Sequence, residues 1–223
     1  NNVSFEIPNG GSLAIVGKTG SGKSTIAQLI GRLYDVNIGK ILIDDKNIAH
    51  LNLFNLRKNI GYVPQDALLF SESIANNIAF GSQLKTDQKK IESVAKMAAI
   101  HDNIVNFKEG YKTQVGERGV TLSGGQKQRI SIARAFIRNP QILIFDDCLS
   151  AVDTETEDHI LKQLKKVMKS CTSIIISHRI SSIKHAEEII VLEEGRIIER
   201  GTHEQLLQKK GVYFEMHQKQ LVK

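Results

Sequence analysis

A glycine-rich segment near the start of the chain constrains the fold more than any other feature. The apolar run Leu13–Val16 leads into Gly17–Ser24, which reads GKTGSGKS, and a helical pattern covers Thr25–Tyr34. Glycines let backbone N–H groups converge on an anion without side-chain clash, and a helix N-terminus adds its positive dipole. Because the segment follows a strand and opens a helix, it predicts a phosphate-binding loop rather than a flexible Gly/Ser loop with a solvated lysine.

Two side chains of this loop have specific predicted roles. Lys23 is expected to reach the β- and γ-phosphates of a nucleotide, and the Ser24 hydroxyl is expected to ligate Mg²⁺. The residues of this segment that are predicted to contact the nucleotide are Gly17, Lys18, Thr19, Gly20, Ser21, Gly22, Lys23, Ser24 and Thr25.

A carboxylate at the end of a later apolar strand extends this prediction. Asp146 directly follows the run Ile142–Phe145. An acidic residue after a strand is by itself usually a turn residue. Beside a phosphate-binding loop, however, it predicts a group that holds Mg²⁺ through its water shell. The two motifs together indicate binding and hydrolysis of ATP or GTP.

Strand and helix patterns alternate along most of the chain, which favours a mostly parallel sheet covered by helices on its faces. Residues 72–119 differ, because they carry helical patterns and few strand signals, and we expect a helical insert there. The further predicted strands are Ile41–Ile43, Ile60–Val63, Gln141–Phe145, Ser173–Ser177 and Ile189–Leu192, and the further predicted helices are Ser73–Ile78, Asp87–Ile100 and Thr154–Lys169, with two short helices closing the chain.

Composition narrows the class of protein. The chain of 223 residues is 41% apolar and 24% charged and has no apolar window long enough to span a membrane. Its only cysteines, Cys148 and Cys171, favour a reduced, cytosolic compartment. The net charge of +6 invites a nucleic-acid partner, but aromatic residues make up only 5% and do not interleave with basic ones. We therefore expect no nucleic-acid binding.

The segment Leu122–Gln126, which reads LSGGQ, predicts a second anion-binding helix terminus. Ser123 is suited to cap a helix through Ile130, and Gly124 and Gly125 leave backbone N–H groups bare at its positive end. The alternative is an ordinary glycine-rich helix start. Because one nucleotide does not need two such termini from one chain, we expect this one to meet a nucleotide held by another molecule.

With these motifs in this order, the chain resembles the ABC family of ATPases over essentially its whole length. The signature segment consists of Leu122, Ser123, Gly124, Gly125 and Gln126, and it lies between the Walker A loop and the Walker B strand. The resemblance implies that Gln65 is the Q-loop glutamine, which contacts Mg²⁺ and signals to a transmembrane part. It also implies that Asp153 belongs to the D-loop and that His178 is the switch histidine, which contacts the γ-phosphate.

Two further segments resemble exporters in particular. Residues 115–119 are similar to the exporter X-loop, and Phe70–Ile74 is also exporter-like. The resemblance therefore implies the nucleotide-binding domain of an ABC exporter, with ATP and Mg²⁺ as cofactors. The implied partners are a second nucleotide-binding domain, in a homodimer or heterodimer, and the transporter's own transmembrane domain. The implied location is the cytoplasmic face of the cell's inner membrane.

The resemblance also implies how the domain is organised. The expected fold is an α/β P-loop NTPase of the RecA-like type, with a mostly parallel sheet flanked by helices and an inserted ABC helical subdomain. All of residues 1–223 belong to one domain. Residues 1–71 and 120–223 form the core, and about 72–119, with the start of the signature helix, form the helical subdomain.

Two departures from the family pattern bear on function. Asp147 follows the Walker B strand where hydrolytic members carry glutamate, so the expected catalytic set is Asp147, His178 and Gln65. Because aspartate withdraws the carboxylate by one methylene, we expect slow turnover at this site, and the alternative is a tolerated variant with near-normal activity. The family's adenine-stacking aromatic lies upstream of where this chain begins, and we expect an N-terminally truncated domain. Phe5 alternates with Val3 and Ile7, which predicts a strand core residue rather than a substitute for that aromatic.

Two other functions compete with a transport motor. A soluble ABC ATPase acting in DNA repair or translation should carry a long coiled-coil insertion or tandem cassettes, and neither is visible in this sequence. A P-loop kinase of a small metabolite would use the loop at Gly17 but would leave Leu122–Gln126 and His178 without a role.

Overall fold

One sheet of five parallel strands and an antiparallel edge strand organises the computed structural model, which describes residues 2–82, 87–116, 120–150, 152–168 and 171–221. The strands run in the order β4-β5-β6-β1-β7-β8, and β2 and β3 form a separate small hairpin. Their bounds are β1 Ser12–Gly17, β2 Leu42–Ile43, β3 Lys46–Asn47, β4 Ile60–Val63, β5 Ile142–Asp146, β6 Thr172–Ile176, β7 Glu188–Glu193 and β8 Arg196–Gly201.

The helices of the described residues lie between and after these strands. They are α1 Lys23–Ile30, α2 Leu53–Lys58, α3 Ile74–Ala79, α4 Gln88–Met97, α5 His101–Val105, α6 Gly124–Ile137, α7 Thr154–Met168, α8 Ile180–Ile183, α9 His203–Lys209 and α10 Val212–Leu221. Two short 3₁₀ turns, Ile48–His50 and Gly110–Lys112, complete the regular structure. No helix within these described ranges combines the length and apolar character needed to cross a bilayer.

The core has two halves because successive side chains of a strand point to opposite faces of the sheet. In β1, Ala14 and Val16 pack with α6 and α7 on one face. Leu13 and Ile15 pack with α1 on the other face. The inner strands are therefore nearly continuous apolar runs, as expected for a parallel sheet that is covered on both sides. The predicted fold class is confirmed.

Most predicted elements are present, and their ends differ for local reasons. Strand Ile60–Val63 has the predicted bounds. Helix α1 ends at Ile30 rather than Tyr34, because Gly31 caps it and Arg32 takes the left-handed conformation at φ 50°. The run Ile41–Ile43 supplies only a two-residue strand of the small hairpin. Lys169, the predicted end of the helix that begins at Thr154, lies outside the described residues.

The predicted N-terminal strand is wrong. Val3, Phe5 and Ile7 are partly buried and alternate with the exposed Ser4 and Glu6, and they pack against the core half that contains α1. Residues 2–10 nevertheless form no strand in the described structure. Alternation decides which side chains face inward, whereas a strand also needs a neighbouring backbone to pair with.

Candidate functional site

The candidate site lies where three neighbouring parallel strands end. Strand β6 lies between β5 and β1 and pairs with both of them. The carboxyl ends of parallel strands meet at one edge of a sheet, and ligands of open α/β sheets bind there. The loop after β1 is the glycine-rich segment, the end of β5 carries Asp146 and Asp147, and the turn after β6 carries His178. Sheet order thus gathers residues that are more than a hundred positions apart.

Backbone conformation explains three glycines of the loop. Gly20 and Gly22 have φ values of 80° and 97°, in the left-handed region that favours glycine. At Gly17 a Cβ atom would lie 2.1 Å from the carbonyl oxygen of Leu192, so only glycine allows this close approach to β7. Gly22 is also the N-cap of α1, and no side chain caps that helix. The first amides of α1 are therefore left for another acceptor.

Lys23 and Ser21 show that this loop suits an anion. The Lys23 side chain is 6% exposed, and its ammonium donates hydrogen bonds to the carbonyls of Gly17 at 2.9 Å and Lys18 at 2.8 Å. Burial lowers the pKa of Lys23, and the charges of Asp147 and Asp146 oppose that shift. The hydroxyl of Ser21 is buried and has no hydrogen-bond partner among the described residues. A cation held on carbonyls and an unpartnered hydroxyl fit a phosphate group.

Ser24 and Asp146 provide oxygen ligands for a hard cation. The Ser24 hydroxyl donates to Oδ1 of Asp146 at 2.8 Å, and the Tyr62 hydroxyl donates to Oδ2 at 2.9 Å. Asp146 itself is 3% exposed. Hydroxyl and carboxylate oxygens are the ligands that Mg²⁺ prefers, so these residues fit that ion. The predicted pair of Ser24 and Asp146 is thus brought together, and Tyr62 is an addition that the sequence did not indicate.

Asp147 is hydrogen-bonded to the segment that carries the predicted switch histidine. Its backbone has φ 48°, and its amide donates to the carbonyl of Ile176 at 2.8 Å, which extends the pairing of β5 with β6. Its Oδ1 accepts a hydrogen bond from the amide of His178 at 3.3 Å. The His178 Nε2 atom lies 3.9 Å from Oδ2 of Asp147, beyond hydrogen-bond distance. The His178 side chain is 40% exposed and therefore open to a ligand.

The predicted D-loop is attached to the switch segment by Arg179. Its guanidinium donates to the carbonyls of Ser150 at 3.0 Å and Val152 at 3.2 Å, and it pairs with the buried carboxylate of Glu157. Asp153 is exposed and accepts a hydrogen bond from the amide of Thr156 at 2.9 Å. That hydrogen bond lowers the pKa of Asp153. Residue 151 of the D-loop and residues 117–119 of the predicted X-loop lie outside the described residues.

Gln65 touches the signature helix through its backbone. Its carbonyl accepts a hydrogen bond from the carboxamide of Gln128, on α6, at 3.2 Å. The side chain of Gln65 is exposed. Within the described part of the chain, no hydrogen bond joins Gln65 to Ser24 or Asp146. The predicted metal-binding role of Gln65 stays a prediction.

The signature residues lie at the start of α6 and are capped by their own side chains. The Ser123 hydroxyl accepts from the amide of Gln126 at 3.2 Å, and the Gln126 carboxamide accepts from the amide of Ser123 at 2.9 Å. The predicted cap at Ser123 is confirmed, in the form of a complete capping box. Leu122 is buried and anchors the turn, whereas Ser123 and Gly124 are exposed. This terminus faces away from the interior of its own chain.

Sequence reasoning missed four polar residues that support these loops. They are Tyr62, Gln128, Arg179 and Gln220. Gln220, on the last helix, donates to the carbonyl of His178 at 2.7 Å and accepts from the amide of Ile180 at 2.8 Å. Each of these contacts depends on how distant elements pack. Only the position of Arg179 next to His178 offered a signal in the sequence.

The fold and its strand-end loops define a P-loop nucleotide-binding domain. The ABC transporter family profile matches residues 1–150. The chain is 49% identical over 218 residues to ATP-binding cassette sub-family B member 6 of Xenopus tropicalis, a match that covers 98% of this chain and 26% of that protein. It is 48% identical over 218 residues to the ATP-dependent lipid A-core flippase of Sodalis glossinidius, covering 98% of this chain and 38% of the flippase.

A solved structure agrees with these relatives. The structure of a bacterial Atm1-family ABC exporter with ATP bound matches with a TM-score of 0.93 and 47% identity, over 98% of this chain and 38% of that one. The chain belongs to the ABC transporter family. It is a nucleotide-binding domain of the exporter type, as the sequence predicted, and the soluble alternative receives no support. It spans well under half the length of these relatives.

Proposed function

We propose that this chain binds Mg-ATP at the ends of β1, β5 and β6 and hydrolyses it to drive export by a membrane domain of the same transporter. The observation that carries the proposal is the hydrogen bond from the Ser24 hydroxyl to the buried carboxylate of Asp146. Beside it, the ammonium of Lys23 is bonded to a carbonyl of the glycine-rich loop. ATP binding and a domain of ATPase type follow from the family itself. The residue roles and the transport cycle are what we propose here.

The roles follow from the chemistry of each group. Lys23 would exchange its two carbonyl partners for phosphate oxygens, to which a charge-assisted hydrogen bond is stronger. Ser24, Asp146 and Gln65 would hold Mg²⁺, which neutralises phosphate charge when it is bound. Asp147 would orient the attacking water, and the exposed ring of His178 would contact the γ-phosphate. The loop residues from Gly17 to Thr25 would contribute backbone and hydroxyl donors.

A second nucleotide-binding domain would complete the active unit. The signature terminus at Ser123 is exposed, which supports a role toward a nucleotide on a partner domain. Asp153, also exposed, would lie at that interface. Residues 72–119, which contain α3, α4 and α5, would form the helical subdomain and contact the transmembrane domain. The relatives are named as a flippase and an exporter, which supports a location on the cytoplasmic face of a membrane.

The aspartate at position 147 supports a dimer of nucleotide-binding domains whose two ATP sites hydrolyse ATP at different rates. An aspartate carboxylate is one methylene shorter than glutamate, and a shift of about 1 Å in a catalytic group can cost about 100-fold in rate. In addition, Asp147 already bonds the backbone of His178, which holds its carboxylate close to the chain. We infer slow turnover at the site built on this chain's own loops and normal turnover at its partner's site. Such asymmetry favours a heterodimer.

ATP binding and ATP-dependent pairing test the proposal together. Titration of the full-length transporter with ATP should show saturable binding that strengthens when Mg²⁺ replaces EDTA. Light scattering of this 223-residue chain should show a monomer without nucleotide and a dimer only with ATP. A stable dimer without nucleotide, or binding that ignores Mg²⁺, would contradict the proposed site.

A further inference from the structure

Both oxygens of the Asp146 carboxylate receive a hydroxyl hydrogen bond. Ser24, on α1, donates to Oδ1 at 2.8 Å, and Tyr62, on β4, donates to Oδ2 at 2.9 Å. A carboxylate oxygen can accept about two hydrogen bonds, so each oxygen keeps acceptor capacity for a further donor such as a metal-bound water. The two hydroxyls approach from different elements, and together they fix the orientation of the carboxylate.

The pairing of β4 with β5 places Tyr62 for this contact. Tyr62 lies opposite Ile144 in the parallel register. Asp146 is two residues beyond Ile144 and therefore on the same face of the sheet. Burial raises the pKa of the Tyr62 hydroxyl, and the charge of Asp146 raises it further.

We propose that Tyr62 is a positioning residue of the metal site, which holds the Asp146 carboxylate in the orientation that Mg²⁺ requires. The inference rests on the proposed metal-binding role of Asp146. The family motifs in this sequence do not include Tyr62, which stands three residues before Gln65 in the same strand-to-loop segment. The hydroxyl would act through Asp146, to which it donates its hydrogen bond.

Burial of Asp146 makes the loss of the hydrogen bond from Tyr62 costly. Asp146 is 3% exposed, so water cannot readily replace a lost donor. A buried acceptor that loses its partner bears its full desolvation penalty. Without the phenol, Oδ2 would be left without that donor and the carboxylate would be free to turn away from Ser24. Partners that orient a metal-binding group typically change metal affinity about 10- to 100-fold when they are removed.

Tyr62→Phe tests this inference because it removes only the hydroxyl. In the full-length transporter, ATP binding is measured against free Mg²⁺, and Mn²⁺ binding in the presence of ATP is measured by electron paramagnetic resonance. We expect the metal concentration for half-maximal binding to rise about tenfold. ATP binding in EDTA should not change, since the phenol bonds the carboxylate proposed to hold the metal. A loss of packing alone would instead weaken binding with and without metal.

Two matched variants complete the experiment. Tyr111→Phe also removes a tyrosine hydroxyl with a side-chain partner, His101 at 2.8 Å, but far from the site, and should leave the metal requirement unchanged. Asp146→Asn should raise that requirement, and Tyr62→Phe should add little to it because both act through one group. A wild-type metal requirement in Tyr62→Phe would overturn the inference. If Asp146→Asn also binds metal normally, the proposed metal site itself is wrong.

Discussion

The chain contains two glycine-rich helix starts, and they are built in opposite ways. Helix α1 begins at Gly22 in a left-handed conformation, without a side-chain cap, beside a buried and unpartnered Ser21 hydroxyl. Helix α6 begins at Ser123 with a complete capping box and an exposed surface. The first terminus has no side-chain cap, whereas the capping box of the second bonds the amides of Ser123 and Gln126. The difference supports the proposal that α1 belongs to this chain's own site and that α6 serves the site of a partner.

The largest expected effect is a difference in ATP affinity between variants of Lys23 and Lys127, the lysines in the first turns of α1 and α6. Lys23→Ala removes a charge-assisted donor worth about 1.5–3 kcal/mol, so ATP binding should weaken about 10- to 150-fold. Lys127→Ala removes an exposed lysine from α6, and affinity should change by less than about twofold. Nucleotide titration of both variants checks this contrast. Equal losses would show that α1 is not the distinctive phosphate-binding terminus.

Ser123→Arg tests the second terminus. It places a bulky cation at the exposed start of α6, where we expect contact with a partner's nucleotide. Hydrolysis at the partner's site should fall about tenfold or more, because the substitution removes the hydrogen bond that we expect between Ser123 and the charged nucleotide. ATP binding to this chain's own loop should not change. Single-turnover ATPase of the full transporter measures the first quantity, and nucleotide titration measures the second.

Thr121→Arg is the control for that variant. Thr121 is exposed and precedes the helix terminus, so the same added charge should leave turnover close to wild type. Equal inhibition by both arginines would indicate a general electrostatic effect rather than a role of the signature terminus.

Asp147→Glu tests whether the ATP site at the start of α1 hydrolyses ATP slowly. Extending the carboxylate by one methylene should raise single-turnover hydrolysis at this chain's own site about tenfold. Asp146→Glu is the matched change on the neighbouring residue, and it should lower turnover because it disturbs the bonds from Ser24 and Tyr62. If wild-type turnover already equals that of Asp147→Glu, the chain is an ordinary exporter domain with an aspartate base.

The smallest expected effect concerns stability. Gly22 has φ 97°, and an added Cβ would meet only Leu192, at 3.7 Å, so Gly22→Ala costs conformational strain without a clash. We expect the free energy of unfolding to fall by about 1–2 kcal/mol. Gly124 is the first residue of α6, where an alanine is tolerated. Gly124→Ala should therefore change the free energy of unfolding by less than about 0.5 kcal/mol. Chemical denaturation of this chain without nucleotide measures both values.

The features that are local in the chain lie in the structure where the sequence predicted them. The phosphate loop, the Walker B carboxylate and the cap at Ser123 each depend on a few consecutive residues whose pattern carries its own physical reason. The strand Ile60–Val63 was predicted with its bounds because it is an apolar run between polar segments. The N-terminal strand failed because its alternation could not show whether a neighbouring backbone pairs with it.

The sequence by itself determined the fold class, the order of the motifs and the departure at Asp147, since these depend on residue identity and spacing. Tertiary structure alone decided that Tyr62 bonds Asp146 and that Gln128 bonds Gln65. It also decided that Gln220 holds the backbone beside His178. Those pairs are 84, 63 and 42 positions apart, and sheet register and helix packing bring them together. A local pattern cannot encode such contacts, because they depend on how separate elements pack.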